Sequence, residues 1–217
     1  MNERIPDRGR PRGRYDEPYR GEGRYYNDRD DRGFFLERYH AERYRAHGIA
    51  AAFVQDNHSR SRRGTLRGLH FQRRHPQGKL VECVRGTVFD VVVDLRPGSP
   101  TFGRWRGVTL SDERPHQLWI PPGLAHGFCV LSDEADFLYK CTDVYRPEDE
   151  GGIAWDDPDL AIPWPVEAPL LSEKDRKLPR LADLGPDDLP QAIPDDVARD
   201  GSPDGPSRVT RRGPRTP

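Results

Sequence analysis

The stretch GTLRGLHFQRRHPQGK, residues Gly64 to Lys79, decides how the chain reads. Thr65, Leu66, Arg67, Gly68, Leu69, His70 and Phe71 alternate as a strand buried in part on each face would. If Leu69 and Phe71 enter a packed layer, His70 points the other way, into a barrel, on rigid scaffold suited to a catalytic group. Pro76 and Gly78 then read as a turn that delivers Lys79 to the start of the next strand. A titratable base and a cation are thereby expected to face one cavity.

Outward from that stretch the signals are short strands between Gly/Pro turns. Phe53 to His58 reads as a strand followed by a polar loop at Ser59 to Arg63, with Gln55 and Asn57 on one face and Asp56 on the other. Leu80 to Leu95, broken at Gly86-Thr87, reads as a hairpin. Further strands are expected at Arg104 to Leu110, Ala125 to Leu131 and Asp136 to Tyr145, the last with Tyr139 and Tyr145 on a shared face. Arg38 to His47 carries a short helical pattern, and Leu170 to Asp175 a final packed segment. This pattern predicts an all-β, double-sheet antiparallel jelly roll with few short helices.

The composition limits the rest. The chain has 217 residues, a formal charge of −1, 34% hydrophobic and 33% charged residues, a ratio too polar for one uniformly packed globule. The expected organisation is a disordered charged tract over 1–30, a jelly-roll domain over 31–184 and a disordered tail over 185–217. In the N-terminal Arg-Gly-Tyr tract acidic residues cancel much of the basic field, so no nucleic-acid partner is expected. Without an apolar run of spanning length or a signal-peptide core, a cytoplasmic protein with no membrane partner is expected. Cys83, Cys129 and Cys141 lack C-x-x-C spacing and read as buried thiols.

Which polar groups face inward decides the chemistry. His70 and His126 could each be satisfied core histidines, but Lys79, Arg67, Tyr139, Gln55 and Asn57 also lie in strands or strand ends, and packing does not ask for so many polar groups. Pro121-Pro122-Gly123-Leu124-Ala125-His126 has the P-x-G-x-x-H spacing found in cupins. However, Leu69-His70-Phe71 offers no second imidazole, and a cation at Lys79 disfavours a divalent metal, so none is expected. Acid–base chemistry next to a ketone fits better. His70 is the candidate base, Asp175 the carboxylate that fixes its tautomer, Lys79 the cation facing the developing oxyanion, and Tyr139 the acid on the opposite face.

Arg67-Gly68-Leu69-His70-Phe71-Gln72, Gln77-Gly78-Lys79-Leu80-Val81, Pro100-Thr101-Phe102-Gly103, Trp119-Ile120-Pro121, Ala125-His126-Gly127-Phe128, Leu138-Tyr139-Lys140 and Leu171-Ser172-Glu173-Lys174-Asp175 resemble, in order and in register, the dTDP-4-dehydrorhamnose 3,5-epimerases. The resemblance spans about residues 31 to 180. It implies a cofactor-free homodimer that inverts C3 and C5 of dTDP-4-dehydro-6-deoxy-D-glucose, with an epimerase of only one of those carbons on a related 4-keto sugar nucleotide as the alternative. It implies His70 as proton acceptor, Asp175 as its partner, Lys79 as enolate stabiliser and Tyr139 as donor. Arg32, Glu37, Gln55, Asp56, Asn57, Arg67, His126, Glu150 and Lys174 are implied as substrate contacts, and Tyr145 as a stacking partner of thymine. Two points stay open. Strict alternation separates Arg67 from His70, so either Gly68 marks a bulge or Arg67 curls round an edge. The apolar strand that family members carry before the Arg-Gly-Phe-Phe block is replaced here by a charged tract without alternation.

Overall fold

The computed structural model describes residues 27–191. They divide into a first unit ending at Ala41 and a second beginning at Glu42. The first unit is a hairpin of β1 (Asn27–Asp30) and β2 (Gly33–Leu36), paired from Asn27↔Leu36 to Asp30↔Gly33. Arg32 closes the turn by donating from Nε to Asp30 Oδ2 at 2.9 Å. A strand at Asn27 corrects the expectation that structure begins at residue 31. The strand NDRD offers no apolar alternation to read, because what is on view there is backbone pairing to β2. Residues 1–26 of the expected disordered tract lie outside the described residues.

After α1 (Ala41–Ala46) the chain is almost all strand: β3 (Gln55–Arg62), β4 (Leu66–Gln72), β5 (Lys79–Arg85), β6 (Thr87–Asp94), β7 (Trp105–Ser111), β8 (Leu118–Ile120), β9 (Leu124–Val130), β10 (Glu134–Cys141) and β11 (Glu150–Gly152). One sheet has the order β3-β10-β5-β8 and the other β11-β4-β9-β6-β7, with antiparallel neighbours throughout. This is the expected double-sheet jelly roll.

Strand β6 packs on both faces, which explains its nearly unbroken apolar run. Val88 and Val92 of β6 join the cluster between the sheets with Val81, Cys83, Leu110, Phe128, Val130 and Phe137. Phe89, Val91 and Val93 join an outer cluster with Leu69, Phe71, Ala125, Ile153 and Leu160. Leu69 is fully buried and Phe71 4% exposed, so the intervening His70 takes the inner face, as the alternation predicts. The three cysteines are free and buried. Burial pushes the Cys83 and Cys129 thiols up to about 11, so both remain protonated at neutral pH.

Several expectations are corrected. The two strands expected to form a hairpin across Gly86-Thr87 do not pair: β5 lies between β10 and β8 in one sheet and β6 between β9 and β7 in the other, so the Gly86 turn carries the chain from sheet to sheet. Of the polar loop expected at Ser59 to Arg63 all but Arg63 belongs to β3, whose register with β10 runs from Gln55↔Cys141 to Arg62↔Glu134. On this edge strand Ser59 and Ser61 occupy the inward positions, so the period of two is present without an apolar signal. β10 stops at Cys141, where Gly78 N donates to Thr142 Oγ1 at 2.8 Å. Alternation therefore does not reach Tyr145. Order also continues past Leu184, through a 3-10 turn at Pro186–Asp188 and a backbone bond from Gln191 N to Arg73 O at 2.7 Å. Residues 192–217 of the expected tail lie outside the described residues. No described helix is long and apolar enough to cross a membrane.

Candidate active site

Two glycines let the strands that carry the site approach one another. Gly86, at φ +78°, makes the β5–β6 turn, where a Cβ would sit 2.1 Å from Glu134 O. Gly68, at φ +122°, lies where a Cβ would meet Gly127 Cα at 2.6 Å, and here the register against β9 slips. Arg67 pairs with Phe128 but His70 pairs with His126, three steps on β4 against two on β9. That extra residue is a bulge at Gly68, the first of the two explanations the sequence leaves open, and it returns Arg67 to the face that His70 shares.

His70 Nε2 lies 2.6 Å from Asp175 Oδ1. The His70 side chain is 27% exposed and that of Asp175 5%, so the imidazole faces the opening while the carboxylate sits behind it. Asp175 is held at the first residue of a 3-10 turn (Asp175–Lys177), with its own N–H donating to Ser172 Oγ at 3.1 Å. Burial acts to raise the Asp175 carboxyl, but the His70 contact, Ser172 and Lys174 outweigh it and hold the group below the usual carboxylate range. An ionised carboxylate has no proton to give, so the proton in this contact is on His70 Nε2 and the lone pair is left on Nδ1.

Lys79 opens β5 on the inner face, in phase with Val81 and Cys83. Burial pushes its ammonium below the usual lysine range, while Cys141, Glu150 and Asp90 draw it partly back. Tyr139 of β10 packs against the inner cluster beside Phe137, with ring centroids 6.2 Å apart. Burial and Cys141 raise the Tyr139 phenol, Arg67 opposes and Glu150 adds, so the group stays protonated at neutral pH.

A second network sits beside these. Tyr145 OH donates to Glu150 Oε2 at 2.6 Å, Lys174 Nζ lies 2.5 Å from the same oxygen, and Tyr145 N donates to Gln55 Oε1 at 2.8 Å. The bond to Glu150 pushes the Tyr145 phenol up to about 12. Burial works to raise Glu150, but Lys174 and Tyr145 hold it down, and His70 lies near enough to act in the same direction. Gln55 Nε2 donates in turn to Asn57 Oδ1 at 3.0 Å, and Asn57 Nδ2 to Cys141 Sγ at 3.6 Å.

Not every expected residue joins. Asp56 turns to the outer face of β3, its side chain 71% exposed and paired with Lys140 Nζ at 2.9 Å. Its side chain is therefore not brought to the cavity. Arg32 and Glu37 belong to the first unit, Arg32 paired there with Asp30. His126 lies in the barrel interior, 7% exposed, with Nε2 2.8 Å from Asp90 Oδ2. Asp90 was missed in the sequence, although a lone carboxylate in phase with Val88 and Val92 is the signal that marks it. Among the described residues no three His, Cys, Asp or Glu side chains are placed to hold a metal ion.

The sequence profile of the dTDP-4-dehydrorhamnose 3,5-epimerases matches residues 24–183. A dTDP-4-dehydrorhamnose 3,5-epimerase of Pseudomonas aeruginosa is 60% identical over 156 residues, 71% of this chain and 86% of that protein. One from Methanothermobacter thermautotrophicus is 55% identical over 150 residues, 68% and 81% of the two chains. The crystal structure of the Legionella pneumophila dTDP-6-deoxy-D-glucose-3,5-epimerase, in complex with dTDP-4-keto-L-rhamnose, superposes with a TM-score of 0.74 at 54% identity. That match covers 77% of this chain and 90% of the other. With the profile matched over most of its length and relatives this similar, the chain belongs to the dTDP-4-dehydrorhamnose 3,5-epimerase family.

Proposed function

We propose that this chain inverts C3 and C5 of dTDP-4-dehydro-6-deoxy-D-glucose to give dTDP-4-dehydro-L-rhamnose, by proton removal next to the 4-keto group and return from the opposite face. The observation that carries the reading is the 2.6 Å contact of His70 with Asp175, on the inner face that also bears Lys79 and Tyr139. His70 Nδ1 takes the carbon-bound proton, and the electron pair of that bond moves to the carbonyl oxygen. Lys79, its ammonium desolvated by burial, supplies positive charge to the oxygen, and such charge is worth more there than in solution. Tyr139, kept as a phenol, gives its proton to the far side of the carbon. The imidazolium and the phenolate then return to their starting forms through solvent.

Arg67, His126 and Lys174 are proposed to meet the diphosphate, for which Arg and Lys geometry is suited. Gln55, Asn57, Glu150 and the stacking ring of Tyr145 are proposed to hold the nucleoside. For Asp56 the backbone is the proposed contact, since its side chain faces outward. Contacts from Arg32 and Glu37, a homodimeric assembly and a cytoplasmic location complete the proposal, on the family resemblance. Proton NMR of the product formed from dTDP-4-dehydro-6-deoxy-D-glucose tests the reaction. Inversion at both carbons is expected, and inversion at one alone gives the single-carbon alternative instead.

A further inference from the structure

Asp90 has no exposed surface, yet it lies on β6 in phase with Val88 and Val92, whose side chains join the apolar cluster between the sheets. Packing alone would place an apolar residue there, as it does two positions away on either side of β6. Oδ2 lies 2.8 Å from His126 Nε2, and Oδ1 has no hydrogen-bond partner among the described residues. A carboxylate buried this way is strongly unfavourable unless it is fixed to a proton donor. His126 is the register partner of His70 across β4 and β9, and its ring stacks on Phe137 at 6.0 Å and 22°. Residues paired in this way project to one face with Cβ atoms about 5 Å apart. His126 is thus built into the wall beside the proposed base.

We infer that Asp90 is a positioning residue for the substrate's diphosphate: it accepts the Nε2 proton of His126, fixing the ring's orientation and tautomer so that Nδ1 is the nitrogen left for the ligand. The inference rests on the substrate reading proposed above. It separates two His–carboxylate pairs of similar geometry by access. The His70 side chain is 27% exposed and proposed for the chemistry, whereas the His126 side chain, 8% exposed over a fully buried Asp90, is proposed for binding. The other titratable groups that feel Asp90 are Lys79 and Cys83, both on β5.

Asp90→Asn in the full chain tests this, because an amide of the same shape can donate to Nε2 and reverse the tautomer. Nitrogen-15 spectra of histidine-labelled wild type are expected to show His126 protonated at Nε2, with that signature lost in the variant. KM for dTDP-4-dehydro-6-deoxy-D-glucose and Kd for dTDP are expected to rise about tenfold, with kcat little changed. An unchanged KM and Kd, or a fall in kcat at constant KM, overturns the inference. Should the variant fail to fold, wild type still decides: a His126 ring with its proton on Nδ1 and Nε2 bare overturns it. Wild type that binds dTDP but shows no turnover counts against the proposed reaction, while the tautomer and Kd comparison still bears on Asp90.

Discussion

His70 and His126 face each other as register partners across β4 and β9, and each has a carboxylate on its Nε2: Asp175 at 2.6 Å and Asp90 at 2.8 Å. Geometry alone does not tell the two pairs apart. Their surroundings do, since the His126 side chain is 8% exposed and that of Asp90 fully buried, while the His70 ring reaches the opening. A base must touch the carbon-bound proton, and the His70 ring is the more accessible of the two.

Lys79 sets the alkaline side of the activity profile. Burial lowers its ammonium from the ordinary 10.5, whereas the Tyr139 phenol is raised from 10.0. Loss of the Lys79 proton is thus moved to lower pH and that of the Tyr139 proton to higher pH, and the charge offered to the oxyanion goes with the Lys79 proton. A plot of kcat/KM against pH is expected to fall at a pH below the ordinary lysine value. Lys79→Arg is expected to abolish that limb or move it upward, because a guanidinium stays charged.

Tyr139→Phe removes the proposed donor and leaves the base. The variant is expected to keep exchanging substrate hydrogen with solvent at carbons next to the ketone, while net epimerisation falls about 10²- to 10⁴-fold. Deuterium content and product stereochemistry, read from one NMR sample, check this. Equal loss of exchange and epimerisation would place Tyr139 at the abstraction step instead.

Asp136 anchors Arg60 and His58 of the edge strand β3, with Arg60 donating twice at 2.8 Å. The Arg60 contact foremost, opposed by burial and aided by His58, lowers Asp136 to about 2 from 3.8. A carboxyl depressed on folding contributes stability that is complete above its unfolded value and is lost as pH falls through the folded one. Asp136→Asn is thus expected to lower Tm by about 2–4 °C at neutral pH. The gap to wild type should close between pH 3.8 and about 2, as followed by thermal scans in buffers across that range.

The legible parts of the sequence were those where local pattern and tertiary demand coincide. Leu69-His70-Phe71 alternates because one side packs on Ile153 and Leu160 while the other lines the barrel. The Gly86 turn marks where β5 ends and β6 begins, but a local turn signal does not tell a hairpin from the passage between two sheets that forms here. β3 was only partly visible, since an edge strand can keep a period of two with Ser and Asn in place of Val and Ile. β11, three residues long, is defined by pairing with β4 and has no pattern of its own. The bulge at Gly68 was offered as one of two explanations, and only the partner strand decides between them. Asp90 escaped notice because a lone acid in an apolar strand reads alike whether it meets solvent or a histidine from the next strand.

The central claim is that His70, held by Asp175, removes the protons next to the ketone. Incubating dTDP-4-dehydro-6-deoxy-D-glucose with wild type and His70→Ala in deuterium oxide tests it most directly. The account predicts deuterium at both C3 and C5 with wild type, and loss of that incorporation by about 10²-fold or more in the variant. Incorporation at the wild-type rate by His70→Ala would contradict it.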